Sequence, residues 1–139
     1  MIVTLDLHRV TLRTFENYKG AEKIRDMVRG IFSGQIFTPV FVSQIAEDEY
    51  LIDPNQPKKK RERSVVLCDG GHKRAVSHYI AERPLVCQLT PLVSIFKSAG
   101  DIRKRYSVLQ KLVIEDNGRK YLLDDFARIV RAEEIIVSA

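Results

Sequence analysis

Six consecutive residues in the middle of the chain combine two glycines, three basic side chains and one carboxylate. They are Asp69-Gly70-Gly71-His72-Lys73-Arg74, the 69–74 motif. The apolar run before them is typical of a strand, and the apolar spacing from Ala75 to Ile80 is typical of a helix. Because a helix N-terminus carries unpaired amides and about half a positive charge, it attracts anions. The motif therefore predicts a phosphate-binding turn.

Each residue type in the motif has a role in such a site. Glycines adopt positive φ and let a phosphate approach the backbone closely. Cations in a first helical turn are unfavourable by a few tenths to about 1 kcal/mol each, and a bound anion reverses that sign. Asp69 stands where a Mg²⁺ ligand or a catalytic acid or base is expected. The plainer interpretation is a solvated tight turn, with Asp69 as a helix cap.

The motif differs from the two common phosphate-binding signatures. It lacks the spacing and the Gly-Lys-Ser/Thr of a Walker A loop, and the chain has no Gly-x-Gly-x-x-Gly. The stretch from Val65 to Ala75 instead resembles the signature of the ParB/sulfiredoxin superfamily, and its free-serine-kinase branch has Asp-Gly-His-His-Arg between a strand and a helix. Phe37–Val42 after Gly34, and Pro84–Cys87, also resemble this family. The likeness covers about residues 2–89.

The resemblance implies a role for each position of the motif. Gly70, Gly71 and His72 would hold the phosphates of a nucleotide, ATP or CTP, with Lys73 and Arg74 supplying further positive charge. Lys73 replaces the family's usual arginine, which keeps the charge and loses the bidentate fork. Since Gly71 stands in place of the reactive cysteine of sulfiredoxins, the resemblance favours phosphoryl chemistry over sulfinic acid repair.

A second carboxylate completes the catalytic pair that the resemblance implies. Glu16 stands where the serine-kinase branch has its catalytic base, close before the first predicted helix. Its other interpretation is a charge near a helix start. Asp69 would be the second catalytic group and the ligand of a Mg²⁺ ion.

A basic loop precedes the strand of the motif. This basic loop is Pro57-Lys58-Lys59-Lys60-Arg61-Glu62-Arg63. Its Lys58, Lys59, Lys60, Arg61 and Arg63 could bind DNA or RNA phosphates, each contact adding to the salt dependence of binding. The run also resembles a nuclear localisation signal, and it could be a solvated hairpin tip. The net charge of +5 makes anionic partners plausible.

Short strands and amphipathic helices must position these residues. The apolar pattern predicts five strands, over Ile2–Leu7, Val40–Ile45, Tyr50–Asp53, Ser64–Cys68 and Leu85–Leu89. The strand Ser64–Cys68 is a continuous apolar run and is therefore predicted to be central and buried. Helices are predicted over Gly20–Ser33, after the motif as far as Arg83, over Asp101–Leu112, and from Asp124 or Asp125 through Val130. Asn117-Gly118 is a hairpin turn or a helix C-cap. A polar stretch, Arg9–Lys19, follows the first predicted strand.

These elements predict one α+β domain of the ParB/sulfiredoxin type, with helices packed on a small mixed sheet. Residues 1–90 would form the nucleotide-binding core and residues 91–139 a C-terminal helical extension packed on it. The chain of 139 residues has no apolar run of the ~20 residues that a membrane helix needs and no signal-peptide pattern, which predicts a cytoplasmic protein without membrane contact. Cys68 and Cys87 are predicted to be small buried residues.

Two classes of function follow. The leading hypothesis is a nucleotide-binding protein that hydrolyses ATP or transfers its phosphoryl group, with a ParB-like nuclease as a related enzymatic alternative. The other is a non-enzymatic partitioning or regulatory module associated with nucleic acid. Because Lys73 departs from the family pattern, a superfamily member that has lost its ligand is also an open interpretation.

Overall fold

Short strands alternate with helices along the chain. The computed structural model describes residues 1–15, 18–57, 60–61, 64–65, 71–92 and 98–138. Within them the helices are α1 (Glu22–Phe32), α2 (His72–Ala81), α3 (Ala99–Arg105) and α4 (Leu123–Ser138). The strands are β1 (Ile2–Leu5), β2 (Thr11–Thr14), β3 (Tyr18–Gly20), β4 (Val40–Ala46), β5 (Glu49–Ile52), β6 (Lys60–Arg61), β7 (Ser64–Val65), β8 (Leu85–Leu89), β9 (Ser107–Val108), β10 (Val113–Asp116) and β11 (Arg119–Leu122).

Six of these strands form one mixed sheet, in the order β1–β8–β4–β5–β2–β9. β8 runs parallel to β4, and β2 runs parallel to β5. The other pairs, β1 with β8, β4 with β5 and β2 with β9, are antiparallel. A three-stranded sheet, β11–β10–β3, and the pair β6–β7 complete the described strands. Helices packed on a mixed sheet confirm the predicted α+β class.

One apolar core joins the main sheet to helices α1, α2 and α4. Val40 of β4, Ile24 of α1, Ile80 of α2 and Phe126 of α4 are fully buried within it. Burial of such a side chain is worth roughly 1.5–3 kcal/mol relative to exposure. Because Phe126 belongs to the last helix, the C-terminal extension shares its core with the elements of residues 1–90.

The predicted first helix is confirmed, including its glycine stop. Ile24, Val28 and Ile31 are buried along one face of α1. Gly34 has a φ of +84°, and its N–H donates to the carbonyl of Ile31 at 3.1 Å. The next N–H, that of Gln35, reaches back to Gly30 at 2.8 Å, which completes a Schellman motif.

The hairpin interpretation of Asn117-Gly118 is also confirmed. The two residues join β10 to antiparallel β11 and have φ values of +50° and +81°. Positive φ at both central positions is the requirement of a type I′ turn, whose twist matches that of the flanking strands. β3 pairs with β10 in parallel on its other side, so the hairpin belongs to a second small sheet.

No strand was predicted in the polar stretch Arg9–Lys19, but β2 lies within it and β3 begins in it. β2 has one fully buried apolar residue, Leu12, so its own alternation was weak. Its pairing is long-range: Leu12 lies opposite Tyr50 of β5 in a parallel ladder. Partners distant in sequence therefore decide this strand, as is common for short strands of low propensity.

Two helix boundaries near the C-terminus also differ from prediction. The helix expected over Asp101–Leu112 ends at Arg105, because β9 pairs with β2 and Leu109–Lys111 then form a single 3₁₀ turn. The last helix begins at Leu123 with both aspartates in its first turn, and it continues to Ser138 rather than Val130.

The predicted central strand Ser64–Cys68 is described only in part. Its first two residues form β7, which pairs with β6 and is not among the strands of the main sheet that the structure describes. Val66, Leu67 and Cys68 lie outside the described residues. Among the described strands, β4 and β5 are the two in the middle of the main sheet.

Candidate anion-binding site at the start of α2

Gly71 forms the turn into α2, and both its backbone and its surroundings require glycine. Its φ is +84°, a left-handed conformation that side chains disfavour. A Cβ atom at this position would stand 2.7 Å from Cγ1 of Val40, which is fully buried in β4. The carbonyl of Gly71 accepts the first helical hydrogen bond, from the N–H of Ala75 at 3.0 Å. The positive φ predicted for a glycine in the turn before the helix is therefore present at Gly71.

The first turn of α2 carries His72, Lys73 and Arg74 and no acidic residue. In the described part of the chain, the N-cap Gly71 offers no side chain to receive the first amides. A helix N-terminus carries a positive partial charge, and basic side chains in its first turn add to it. Bringing an anion to this position would be electrostatically favourable.

Arg74 fastens the start of α2 to the segment before β4. The residue is 7% exposed, and Nη1 of its guanidinium donates to the carbonyl of Thr38 at 2.7 Å and to its hydroxyl at 2.8 Å. The same nitrogen donates to the carbonyl of Pro39 at 3.1 Å. A buried cation is tolerated only with such partners. Arg74 thus has a positioning role, whether or not it also faces a ligand.

His72 is buried, and its ring packs on an aromatic side chain. The ring centroids of Phe15 and His72 lie 4.7 Å apart, with the planes at 86°. Phe15 follows β2 directly, so this contact joins the end of that strand to the start of α2. Lys73 is half-buried, and it is the one of the three basic residues with substantial exposure to solvent.

The side chain of Gln56 supports this turn, and sequence reasoning did not identify it. Its Oε1 accepts the N–H of Phe41 at 2.9 Å, while Nε2 donates to the carbonyl of Phe41 at 2.7 Å. Nε2 also donates to the carbonyl of Asp53 at 2.7 Å. The amide pairs with Phe41 as a neighbouring strand would. No residue pattern around position 56 signals this, because the pairing crosses fifteen positions of the chain.

A buried carboxylate lies at the end of β5, and it was also missed. Asp53 is 6% exposed. One of its oxygens accepts the N–H of Asn55 at 2.8 Å, and the other accepts the hydroxyl of Thr90 at 2.7 Å. Thr90 in turn contacts the hydroxyl of Ser43 at 3.1 Å. These bonds tie the ends of β5 and β8 together and hold the turn that leads to Gln56.

Several predicted site residues lie outside the described residues. They are Glu16, Lys58, Lys59, Arg63, Asp69 and Gly70. Lys60 and Arg61 form β6, of which the backbone pairing with β7 is described. The catalytic pair, the proposed Mg²⁺ ligand and most of the basic loop therefore stay predictions. Among the described residues, no group of three His, Cys, Asp or Glu side chains could hold a metal ion.

Cys87, the one cysteine within the described residues, is an interior residue as predicted. It is fully buried in β8, and burial raises the pKa of its thiol to about 12. A thiol of that pKa is a poor nucleophile at neutral pH. In the part of the chain that is described, no helix has both the length and the apolar character to cross a membrane.

Two of the surface cavities lined by described residues lie away from the start of α2. The larger, of about 580 Å³, lies between the start of α1 and the β10–β11 turn. Arg25 beside it binds Asp116 at 2.6 Å and Glu133 at 2.9 Å, which raises the pKa of its guanidinium. The smaller, of about 410 Å³, lies near Tyr79 and Asp124, whose hydroxyl and carboxylate are 2.5 Å apart. The polar groups named here are paired within the protein.

Comparison with known proteins found no family model, no curated protein and no solved structure that matches this chain. The likeness to the ParB/sulfiredoxin superfamily therefore depends on the sequence motifs alone. The geometry at the start of α2 stands independently of that likeness.

Proposed function

We propose that this chain is a ParB/sulfiredoxin-like protein that binds a nucleotide through its phosphates at the start of α2. The observation that carries the proposal is the left-handed Gly71, which opens a helix whose first turn holds three basic residues and no acid. A structural turn needs the glycine, and His72 and Arg74 also take part in packing, whereas the half-exposed Lys73 disfavours the helix by a few tenths to about 1 kcal/mol. An anionic ligand accounts for both features together.

The described residues divide into those that bind and those that position. In this proposal the first amides of α2 and the side chain of Lys73 meet the phosphate oxygens. Arg74 and Gln56 hold the turn in place through Thr38 and Phe41. Preorganised donors of this kind stabilise negative charge without reorganisation when a reaction takes place.

The chemistry proposed for this site is transfer or hydrolysis of the terminal phosphoryl group of ATP. Glu16 would take the proton from the attacking hydroxyl or water, and the bond to the leaving diphosphate would break as the new P–O bond forms. Lys73 and the helix amides would stabilise the charge on the transferred oxygens. Asp69 would hold a Mg²⁺ ion that neutralises phosphate charge.

A thermal-shift titration with ATP, ADP and CTP, each with Mg²⁺, tests the binding step. At a ligand concentration about 100 times Kd, mass action stabilises the native state by about 2.7 kcal/mol. For a domain of this size that is a rise in Tm of roughly 10 °C. Lys73→Ala is the informative variant, because His72 and Arg74 are buried and their replacement would also disturb packing. We expect a clearly smaller shift for Lys73→Ala.

Lys23→Ala is the matched control for that titration. Lys23 is the second residue of α1, as Lys73 is the second residue of α2, and it is exposed. Its loss should leave the nucleotide-induced shift unchanged. Equal shifts in wild type and Lys73→Ala would contradict the phosphate site.

Turnover distinguishes the enzyme from a binding module. Asp69→Ala and Glu16→Ala should retain nucleotide binding and lose phosphate release.

The second candidate, a non-enzymatic module associated with nucleic acid, is favoured by the basic loop, five of whose seven residues are Lys or Arg. A wild-type protein that binds DNA or RNA but turns over neither ATP, CTP nor nucleic acid would establish that module, and nucleic acid cleavage would establish a nuclease.

A further inference from the structure

A half-exposed aromatic ring stands beside the first residue of α2. Phe15 is 37% exposed, whereas His72, on which its ring packs, is fully buried. In the edge-to-face contact between them, the buried ring fixes the position of the exposed one. Since His72 begins α2, Phe15 borders the helix start where the phosphates are proposed to bind.

Phe32, at the end of α1, is another partly exposed aromatic residue, but its ring has a different neighbour. Phe32 is 43% exposed, but the guanidinium of Arg83 lies over its face, 5.5 Å from the ring centroid. That cation–π contact gives Phe32 a structural role at the end of its helix. The ring of Phe15 instead packs on His72, the first residue of α2, with the ring centroids 4.7 Å apart.

We propose that Phe15 is the platform on which the base of the bound nucleotide stacks. The inference rests on the proposed function and deepens it, because it makes the ligand a nucleotide rather than free phosphate or a phosphorylated side chain. Every base has a π-face, so an aromatic platform accepts purines and pyrimidines alike. ATP and CTP should both bind, and ATP more tightly because its base covers more of the ring.

Paired titrations with ATP and with inorganic tripolyphosphate, both in Mg²⁺, separate the base from the phosphates. Phe15→Ala should weaken ATP binding by roughly 5- to 150-fold, the range that loss of one base–aromatic stack produces. Tripolyphosphate binding should be unchanged. Phe15→Leu keeps an apolar side chain against His72 and so protects the fold, and it should lose the same affinity for ATP. Phe32→Ala is the control and should change neither affinity.

A fluorescent variant reports the stack directly. The chain contains no tryptophan, so Phe15→Trp introduces a single reporter at the platform. Saturation with ATP should quench its emission, and saturation with tripolyphosphate should leave it nearly unchanged. Phe32→Trp places the reporter at the other exposed ring, where neither ligand should quench it.

The two titrations keep failure of the inference apart from failure of the proposed function. If Phe15→Ala and Phe15→Leu bind ATP as wild type does, or lose ATP and tripolyphosphate equally, stacking on Phe15 is overturned and the phosphate site stands. If wild type binds neither ligand, the phosphate site is overturned together with the inference. A selective loss of ATP affinity, with quenching by ATP alone, supports both.

Discussion

The side-chain amide of Gln56 lies against Gly71, with its Cδ and Oε1 atoms 3.3 Å from the point where a Cβ of residue 71 would stand. The same amide is bonded to both backbone groups of Phe41 at the start of β4. The loop after β5, the beginning of β4 and the turn into α2 therefore meet at one side chain. Gln56 and Val40 therefore fill the space beneath the turn.

Replacement of Gly71 by alanine should destabilise the fold strongly. A left-handed backbone costs an L-residue roughly 1–2 kcal/mol. The new Cβ would also stand 2.7 Å from Val40, and overpacking of a buried contact costs about 1–3 kcal/mol more. We expect the free energy of unfolding, measured with urea, to fall by about 2–4 kcal/mol.

Gly34→Ala separates the two contributions. Gly34 has the same φ of +84°, but no atom lies within 4 Å of its added Cβ. Its substitution should therefore cost only the backbone part, about 1–2 kcal/mol. Equal losses for the two variants would show that the space around Gly71 is not closed as described.

Gln56→Glu should destabilise the protein although it preserves the shape of the side chain. Glutamate can still accept the N–H of Phe41, but it cannot donate to the carbonyls of Phe41 and Asp53. Two carbonyls would face a carboxylate, and unmet groups of this kind cost about 1–3 kcal/mol. Urea unfolding at pH 7 measures the loss. Gln44→Glu, on an exposed position of β4, should be nearly neutral, and a similar loss there would point to net charge instead.

The elements that sequence predicted well are those with a strong local signal. α1 has an apolar stripe and a glycine stop, the β10–β11 turn has Asn-Gly, and Pro84 marks the end of α2. β2 was not predicted, and the end of α3 was placed too late in the chain. Both features depend on the pairing of β2 with β5 and β9, which no local sequence pattern indicates. Long-range pairing of this kind overrides intrinsic propensity.

In the candidate site, too, local sequence signals were recognised and long-range contacts were not. The 69–74 motif was visible because glycine and charge stand at adjacent positions. Arg74 was expected at a phosphate, and its bonds to Thr38 and Pro39 could not be read from spacing, since the partners are more than thirty residues away. Gln56 and Asp53 act through bonds across the fold and carry no sequence signature. Sequence thus identified the helix start, and the structure identifies what holds it.

Glu49 should make stability depend on acidic pH. Its carboxylate accepts hydrogen bonds from Arg103, at 2.5 Å for the shortest, and from Arg13 at 2.7 Å. The hydrogen bond from Arg103 has the largest effect on the pKa of Glu49, and burial opposes it. Together with the bond from Arg13, it lowers that pKa from 4.5 to about 2. Because the folded-state pKa lies below the unfolded value, the contribution is complete above about pH 4.5 and is lost as pH falls towards 2.

Glu49→Gln tests that dependence. We expect wild type to lose about 1–2 kcal/mol from this group between pH 5 and pH 2, after allowance for the solvent exposure of Arg103. Urea titrations across this range should show a flatter decline for Glu49→Gln. Glu47→Gln, two positions earlier and exposed, should follow the wild-type curve. Parallel curves for Glu49→Gln and wild type would exclude a stabilising role for the carboxylate charge.

Ser77→Ala should raise stability. Ser77 is fully buried in α2, and its hydroxyl has no hydrogen-bond partner among the residues that the structure describes. An unpaired buried hydroxyl costs about 1–3 kcal/mol, and alanine is also the better helix former. Removing the oxygen leaves only a small void, so we expect a net gain of about 1 kcal/mol in the free energy of unfolding.

Ser43→Ala provides the opposite case. Ser43 is equally buried, but its hydroxyl contacts that of Thr90 at 3.1 Å and donates to the carbonyl of Pro91 at 3.3 Å. Its loss should cost about 1 kcal/mol, the usual net value of a hydrogen bond. Urea unfolding of the two variants should therefore move in opposite directions from wild type. Destabilisation of Ser77→Ala by a similar amount would show that the Ser77 hydroxyl has a hydrogen-bond partner in the folded protein.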